Sequence, residues 1–302
     1  MTHSLLLDVS SLGYRSYFAL RDAVHAPDGS SVGAVVGYLD MVTRLIVSRR
    51  PDEVIHVYDH DWRPTVRTQL YPGYKANRPD EPADLTTQFA LLRRVLDLTG
   101  MRQAQAPTWE AEDAIGALVS GADDDDLFEM VSGDRDLIQL VRDPSVRLLF
   151  TVRGVSELLE FDESTVLAKY GVPASRYAEF AILRGDPSDE LPGVKGVGEK
   201  TALALVQTYA SLDELLADAA GDTPRDGPLK GKPALRARLR EAQDYVAAMR
   251  RLVPIEVDCA VEVWSGERDD VALRALAETH GLRGSVVRLL AALDSAGTDR
   301  RP

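Results

Sequence analysis

A single cysteine, Cys259, excludes an intramolecular disulfide and any cysteine-rich zinc site, and the five histidines show none of the H-x-x-x-H spacing of a metal-binding helix. A metal in this chain must therefore be held mostly by oxygen. No uninterrupted apolar run approaches the ~20 residues of a membrane span, and the opening stretch MTHSLLLDVSSLGYRS turns polar too soon for a signal peptide. A cytoplasmic protein without membrane contact is expected. Basic residues are in the minority: 35 Lys and Arg stand against 48 Asp and Glu, a formal charge of −13 that argues at first sight against a polyanionic partner. Distribution qualifies that sum, because between Arg225 and Arg240 six basic residues (Arg225, Lys230, Lys232, Arg236, Arg238 and Arg240) face one acidic residue, Asp226. That island is either a solvated loop and helix face or a contact for phosphate.

What the chain does contain is enough apolar material for a large core: 302 residues, 45% hydrophobic, suit one large domain or two modest ones. SLLLDVS, DEVIHVYD and LFEMVSGD are short Leu/Val/Ile-rich runs that each end in an acidic residue, and they read as buried parallel strands. Between the first two, SVGAVVGYLDMVTRLIVSRR has helical spacing. Strand, helix, strand implies an α/β sheet with helices on its faces, in which ligands sit beyond the carboxyl ends of the strands. Asp8, Asp59, Asp134 and Asp136 are then expected on one rim. Residues 60–85 carry four prolines and no clear period, the mark of a lid or binding loop. DLTTQFALLRRVLDLTG resumes a helix, strands are expected near 146–161, and from LPGVKGVGEKTALALV onward the chain reads as mainly helical, with a short strand near PIEVDCAVEVW.

Two further acidic groups complete the pattern. Glu110, Glu112 and Asp113 in WEAEDAIGAL suit a charged helix start, and Asp186 and Asp189 in RGDPSDELPG suit turns and caps. Each group alone has an ordinary explanation. Nine carboxylates gathered at strand ends and helix starts would repel one another by several kcal/mol at effective dielectric constants near 20, unless they are protonated or matched by cations. Oxygen-only ligands favour Mg²⁺ or Mn²⁺, and two such ions roughly 4 Å apart form a clamp for displacement at phosphorus. The tract Asp123 to Asp126 reads as a solvated loop.

The stretches LLLDVSSLGYRSYFAL, VYDHDWRPTVRTQLYPGYKANRP, WEAEDAIGAL, VSGDRDLIQL and GDPSDELPGVKGVGEKTA occur in the order of the 5′ nuclease family. The chain resembles the 5′-3′ exonuclease domain of bacterial DNA polymerase I and the flap endonucleases over residues 4 to about 290, and it looks like a stand-alone member. The resemblance implies a mostly parallel central sheet in a PIN-like core over 1–175 with a helical arch at about 60–90. It also implies a helical DNA-holding region over 176–302 with a helix-hairpin-helix at about 190–209.

By the same resemblance, Asp8, Asp59, Glu110 and Glu112 lie nearer one divalent ion and Asp134, Asp136 and Asp189 nearer a second. Asp113 and Asp186 are candidates behind them. Lys75 matches the family's active-site lysine, Arg67 and Arg78 are expected to steer or clamp the strand, and Tyr74 to stack on a base. Gly193, Gly196 and Gly198 would let the hairpin backbone approach phosphate, with Lys195, Lys200 and Thr201 beside it. Carbonyls of that loop hold K⁺ in the family. The implied substrate is DNA with 5′ flaps, nicks or 5′ overhangs. A monomer with a functional link to DNA polymerase and ligase in replication and repair is expected.

Two departures from the family pattern stand out. Glu112 replaces an aspartate common in polymerase-linked members, and GDPSDE puts Glu190 beside Asp189, an extra negative charge that bears on the second ion's ligation. An inactive flap-binding module and a PIN-like ribonuclease are the rival readings.

Overall fold

In a computed structural model, which describes residues 2–223 and 225–298, the chain forms a seven-stranded sheet in the order β6-β5-β4-β1-β2-β3-β7. The strands are β1 (Thr2–Asp8), β2 (Glu53–Tyr58), β3 (Arg102–Gln105), β4 (Asp126–Ser132), β5 (Val146–Thr151), β6 (Leu158–Phe161) and β7 (Glu262–Ser265). The five inner strands run parallel and only the two edge strands are antiparallel. The three acid-ending apolar runs are β1, β2 and β4, side by side at the centre. β3 went unread because RQAQ is short and largely polar; it sits between two strands and buries Gln103 completely.

Alternation along the inner strands sorts side chains to two layers, as a pleat of period two requires. Leu5 and Leu7 of β1, Val131 and Leu149 join one core with α2 (Gly33–Arg49), α4 (Ala83–Asp97) and α13 (Arg283–Thr298). Leu6, Ile55, Val57, Met130 and Leu148 join the other, with α5 (Ala111–Ser120), α7 (Tyr177–Arg184) and α8 (Glu199–Thr208). The remaining helices are α1 (Val9–Leu20), α3 (Thr65–Leu70), α6 (Glu163–Tyr170), α9 (Leu212–Ala220), α10 (Pro233–Glu241), α11 (Gln243–Leu252) and α12 (Asp270–Thr279).

The chain after residue 175 does not stay apart from the core. β7 pairs with β3 through Gln103 and Trp264, and α13 packs on α2, so the expected boundary at 175 is crossed by the returning C-terminal segment. Its apolar side chains, Leu273, Val286, Leu289 and Leu290, are buried in the same core as Leu5 and Leu7. No helix of the described residues is long and apolar enough to cross a membrane.

Candidate active site

Parallel register builds the rim. Asp8 pairs with Val57 across β1 and β2, and Leu7 with Val131 across β1 and β4, so the three strands end level with one another. Asp8 closes β1 and caps α1, accepting the Ser11 N–H at 2.9 Å and the Ser132 hydroxyl at 2.7 Å. Asp59, one residue past β2, accepts the Ala111 N–H at 2.7 Å and so ties a strand end to the start of α5. Asp134 follows β4 in a tight turn: its N–H donates to Ser132 Oγ at 2.9 Å, and its carboxylate accepts the Asp136 N–H at 2.8 Å. Asp136 opens a 3₁₀ turn spanning Asp136–Leu140, shorter than the helix its apolar spacing suggests.

Glu110 is the N-cap of α5 and forms a capping box with Asp113. One oxygen each from Glu110, Glu112 and Asp113 lies within 4.8 Å of the others. The segment 60–82 folds beneath these acids. Arg67, in the middle of α3, is bonded to Glu110, reaches Glu112 at 3.1 Å and Asp113 at 2.7 Å. Tyr74 donates its hydroxyl to Glu110 at 2.6 Å, and Lys75 Nζ is bonded to Glu110 and lies 3.6 Å from Asp189. Arg67, Tyr74 and Lys75 are all buried.

That burial corrects two expectations. Tyr74 is 1% exposed, so its ring is core and not a stacking platform for a base. Arg67 is 3% exposed and saturated by carboxylates, so it braces the acids instead of clamping a strand. Arg78, unlike Arg67 and Lys75, is exposed, its guanidinium 5.8 Å from the Trp62 ring.

The other candidates fall as follows. Asp113 accepts from Arg67, from the Glu110 N–H at 3.2 Å and from the Glu256 N–H at 2.9 Å, which leaves it a scaffold role behind Glu110. Asp186 accepts the Ser188 N–H at 2.8 Å and lies 3.8 Å from Arg184. The Glu190 carboxylate is engaged by Asn77: its two oxygens accept the N–H and the side-chain amide of Asn77 at 2.8 and 2.7 Å. The charge beside Asp189 is thereby matched by two donors from Asn77. Gly193 and Gly196 both take left-handed backbone, φ 70° and 74°, and Gly198 caps α8, whose first turn holds Lys200 and Thr201. A Cβ on Gly193 would fall 2.5 Å from the Arg184 carbonyl, and one on Gly196 would fall 2.0 Å from Arg238 Nη1. Lys195 and Lys200 are exposed along the same loop.

Electrostatics confirm that the acids share one field. Burial, then repulsion from Asp59, pushes the Asp8 carboxyl up to about 7. Burial and Asp134, Asp189 and Asp186 hold Asp136 well above the usual carboxylate range, and burial and Glu110 do the same to Glu112. Burial raises Asp59, with Glu110 adding to it. Asp189 is pushed up to about 6 by burial, against the pull of Lys75. Burial works on Glu110 too, but Lys75 and Arg67 outweigh it and keep that carboxyl low. A set of buried, mutually repelling carboxylates whose pKa values are raised has the chemistry of a hard-cation site, since a bound ion relieves both the burial and the repulsion. Asp8, Asp59, Glu110, Glu112 and Asp134 open onto a cleft of roughly 580 Å³ that continues past Tyr14, Trp62, Arg78 and Arg93. Sequence reasoning missed Ser132, Asn77 and Arg93; Ser132 alone had a signal, as the first residue of SGD at a strand end.

Residues 3–171 match the family model described as the 5′-3′ exonuclease N-terminal resolvase-like domain, and residues 172–275 match its C-terminal SAM-fold domain. The chain belongs to the 5′-3′ exonuclease family. A 5′-3′ exonuclease of Streptomyces coelicolor is 41% identical over 96% of this chain and 99% of its own. One of Mycobacterium tuberculosis is 39% identical over 96% and 98%. A Mycobacterium tuberculosis DNA polymerase I is 38% identical over 80% of this chain, which covers 27% of that longer protein. Among solved structures, the fold is similar to a bacteriophage T5 D15 flap endonuclease complex with DNA and metal ions, with a TM-score of 0.65 at 16% identity over 96% of this chain and 99% of that one. It is also similar to the catalytic core of Rad2 in complex with DNA, with a TM-score of 0.61 at 18% identity over 96% and 92%. This family member is a nuclease, and Glu110, Glu112 and Asp113 form an acidic group whose oxygens lie close enough together to hold a metal ion.

Proposed function

We propose that the chain is a structure-specific 5′ nuclease acting on DNA with 5′ flaps, nicks or 5′ overhangs in replication and repair. It hydrolyses a phosphodiester near the junction of duplex and 5′ single strand and leaves a 5′-phosphate on the downstream product. The observation that carries this reading is the convergence of Asp8, Asp59, Glu110, Glu112, Asp134, Asp136 and Asp189 on one rim, where burial and mutual repulsion raise the pKa of several of them. These residues would hold two divalent ions, Mg²⁺ or Mn²⁺, with Asp8, Asp59, Glu110 and Glu112 nearer the first and Asp134, Asp136 and Asp189 nearer the second. Such ions supply positive charge against the phosphate and lower the pKa of the attacking water.

The chain's own residues do the rest. Lys75, whose ammonium lies among the acids between Glu110 and Asp189, would place a point charge near the scissile phosphate. Arg78, exposed at the mouth of the cleft, meets the phosphates of the single strand. Lys195, Lys200, Thr201 and the backbone around Gly193, Gly196 and Gly198 hold duplex phosphate in a helix-hairpin-helix manner, with K⁺ as the cation its carbonyls would take. Arg238, packed on Gly196, brings the basic island to the same loop. Without divalent ions the acids repel DNA, so productive binding depends on them. The protein works as a monomer alongside a DNA polymerase and a ligase.

Cleavage of end-labelled flap, nick and single-stranded DNA with Mg²⁺ or Mn²⁺, beside a matched RNA, tests this. Ion-dependent incision near the flap junction supports it; RNA cut in preference, or binding without incision, sinks it.

A further inference from the structure

Two turns that are far apart in sequence meet at the edge of the acidic rim, and both are conformationally unusual. Lys75 and Glu190 have φ of 50° and 60°, left-handed conformations that are strained for a non-glycine residue and persist where surrounding contacts over-determine them. Three bonds join the turns. The Lys75 N–H donates to the Asp189 carbonyl at 3.2 Å, the Asn77 N–H to Glu190 Oε1 at 2.8 Å, and Asn77 Nδ2 to Glu190 Oε2 at 2.7 Å. A carboxylate fits this place because it accepts twice and both Asn77 groups donate. Between the clasped backbones runs the Lys75 side chain, from a turn fixed at Asp189 and Glu190 to the buried Glu110.

We propose that Glu190 is a positioning residue: with Asn77 it clasps the 73–78 turn to the 186–191 turn and thereby fixes where Lys75 delivers its ammonium. The inference rests on the reading of Lys75 as the cation at the scissile phosphate. A lysine stem has four rotatable bonds, so its backbone anchor decides whether the charge arrives in register. Loss of register by an ångström at a reacting centre costs up to about 10²-fold in rate. Glu190 is half-buried and Asn77 exposed, so the clasp orients more than it stabilises.

The experiment compares Glu190→Ala, Asn77→Asp, Glu190→Gln and the double variant Asn77→Asp/Glu190→Gln. Asn77→Asp sets two carboxylates against each other and opens the clasp; adding Glu190→Gln gives the new aspartate an amide donor and closes it again. The expected result is a fall in kcat of about tenfold in Glu190→Ala and Asn77→Asp, with KM for flap DNA changed less than about twofold. Glu190→Gln, after a flip of the Asn77 amide, and the double variant stay within about twofold of wild type. Amide hydrogen exchange at Lys75 and Asn77 in metal-free protein should quicken in the two opened variants and recover in the double variant. Unchanged kcat in Asn77→Asp, no recovery in the double variant, or a rise in KM in place of the fall in kcat would overturn the proposal. If wild type does not cut flap DNA, or Lys75→Ala cuts at full rate, it is the reading of the site that fails.

Discussion

Arg67 donates to Asp113 at 2.7 Å across 46 positions of chain, and neither side chain has appreciable contact with water. The same guanidinium serves Glu110 and Glu112, so one buried cation holds the start of α5 in place. Buried ion pairs add little net stability when intact, but removing one partner strands a buried charge at a cost of roughly 3–5 kcal/mol.

Arg67→Ala should therefore lower the free energy of urea unfolding of metal-free protein by an amount in that range, roughly 3–5 kcal/mol. Arg67→Lys should recover less than about half, because a point-charge ammonium cannot serve three carboxylates as a planar fork does. Unfolding curves that coincide with wild type would show that Glu110 and Asp113 find other partners.

Stability should depend on pH in a way that divalent ions reverse. Asp189 and Asp8 are pushed up to about 6 and about 7 in the fold, against roughly 3.9 for an unfolded aspartate. A raised carboxyl contributes stability below its unfolded pKa and loses that contribution as pH rises through its folded one. Metal-free protein thus loses this contribution between about pH 4 and about pH 7. His56 acts in the opposite direction: buried in β2 with its Nδ1 2.7 Å from the Tyr38 hydroxyl, it is pushed down to about 3 by burial. Its contribution is present above the unfolded value of about 6.5 and fades as pH falls. It cancels in a comparison made with and without ion at each pH. The rise in Tm on adding Mg²⁺ should be at least about threefold larger near pH 8 than near pH 5.5. Equal rises would contradict the cation site.

The two hairpin glycines should respond differently to a methyl group. Gly193→Ala meets backbone, the Arg184 carbonyl at 2.5 Å, and has nowhere to go; destabilisation by several times the ~1 kcal/mol of a lost glycine conformation is expected in thermal unfolding. Gly196→Ala meets only the end of the Arg238 side chain, which can swing away. It should lose only the roughly 1 kcal/mol of its left-handed backbone, and should lose affinity for duplex DNA in an anisotropy titration, with a shallower salt dependence, by about one phosphate contact. Equal affinity of Gly196→Ala and wild type would separate Arg238 from the DNA.

What could be read in the letters was whatever depends on local period. The level ends of β1, β2 and β4 follow from apolar runs that stop at Asp8, Asp59 and Asp134, since parallel strands must deliver their ends to one rim. The 60–82 segment was opaque for the opposite reason. Its order comes from Arg67, Tyr74 and Lys75 reaching acids more than 30 residues away, and no periodicity encodes an ion pair. A tyrosine and an arginine in a polar, proline-rich stretch look like surface groups until Glu110 and Asp113 are placed above them. Glu190 shows the same limit: beside Asp189 it reads as one more charge at the metal site, and only the meeting with Asn77, 113 positions away, gives it partners of its own.

The most direct test of the account is incision of end-labelled 5′ flap DNA by wild type and by Asp134→Ala with Mg²⁺ or Mn²⁺. The account predicts ion-dependent cutting near the junction in wild type and a loss of at least about 10²-fold in the variant, whose rim lacks one of the carboxylates proposed for the second ion. Flap incision that survives Asp134→Ala, or proceeds in wild type with all divalent ions chelated, would contradict it.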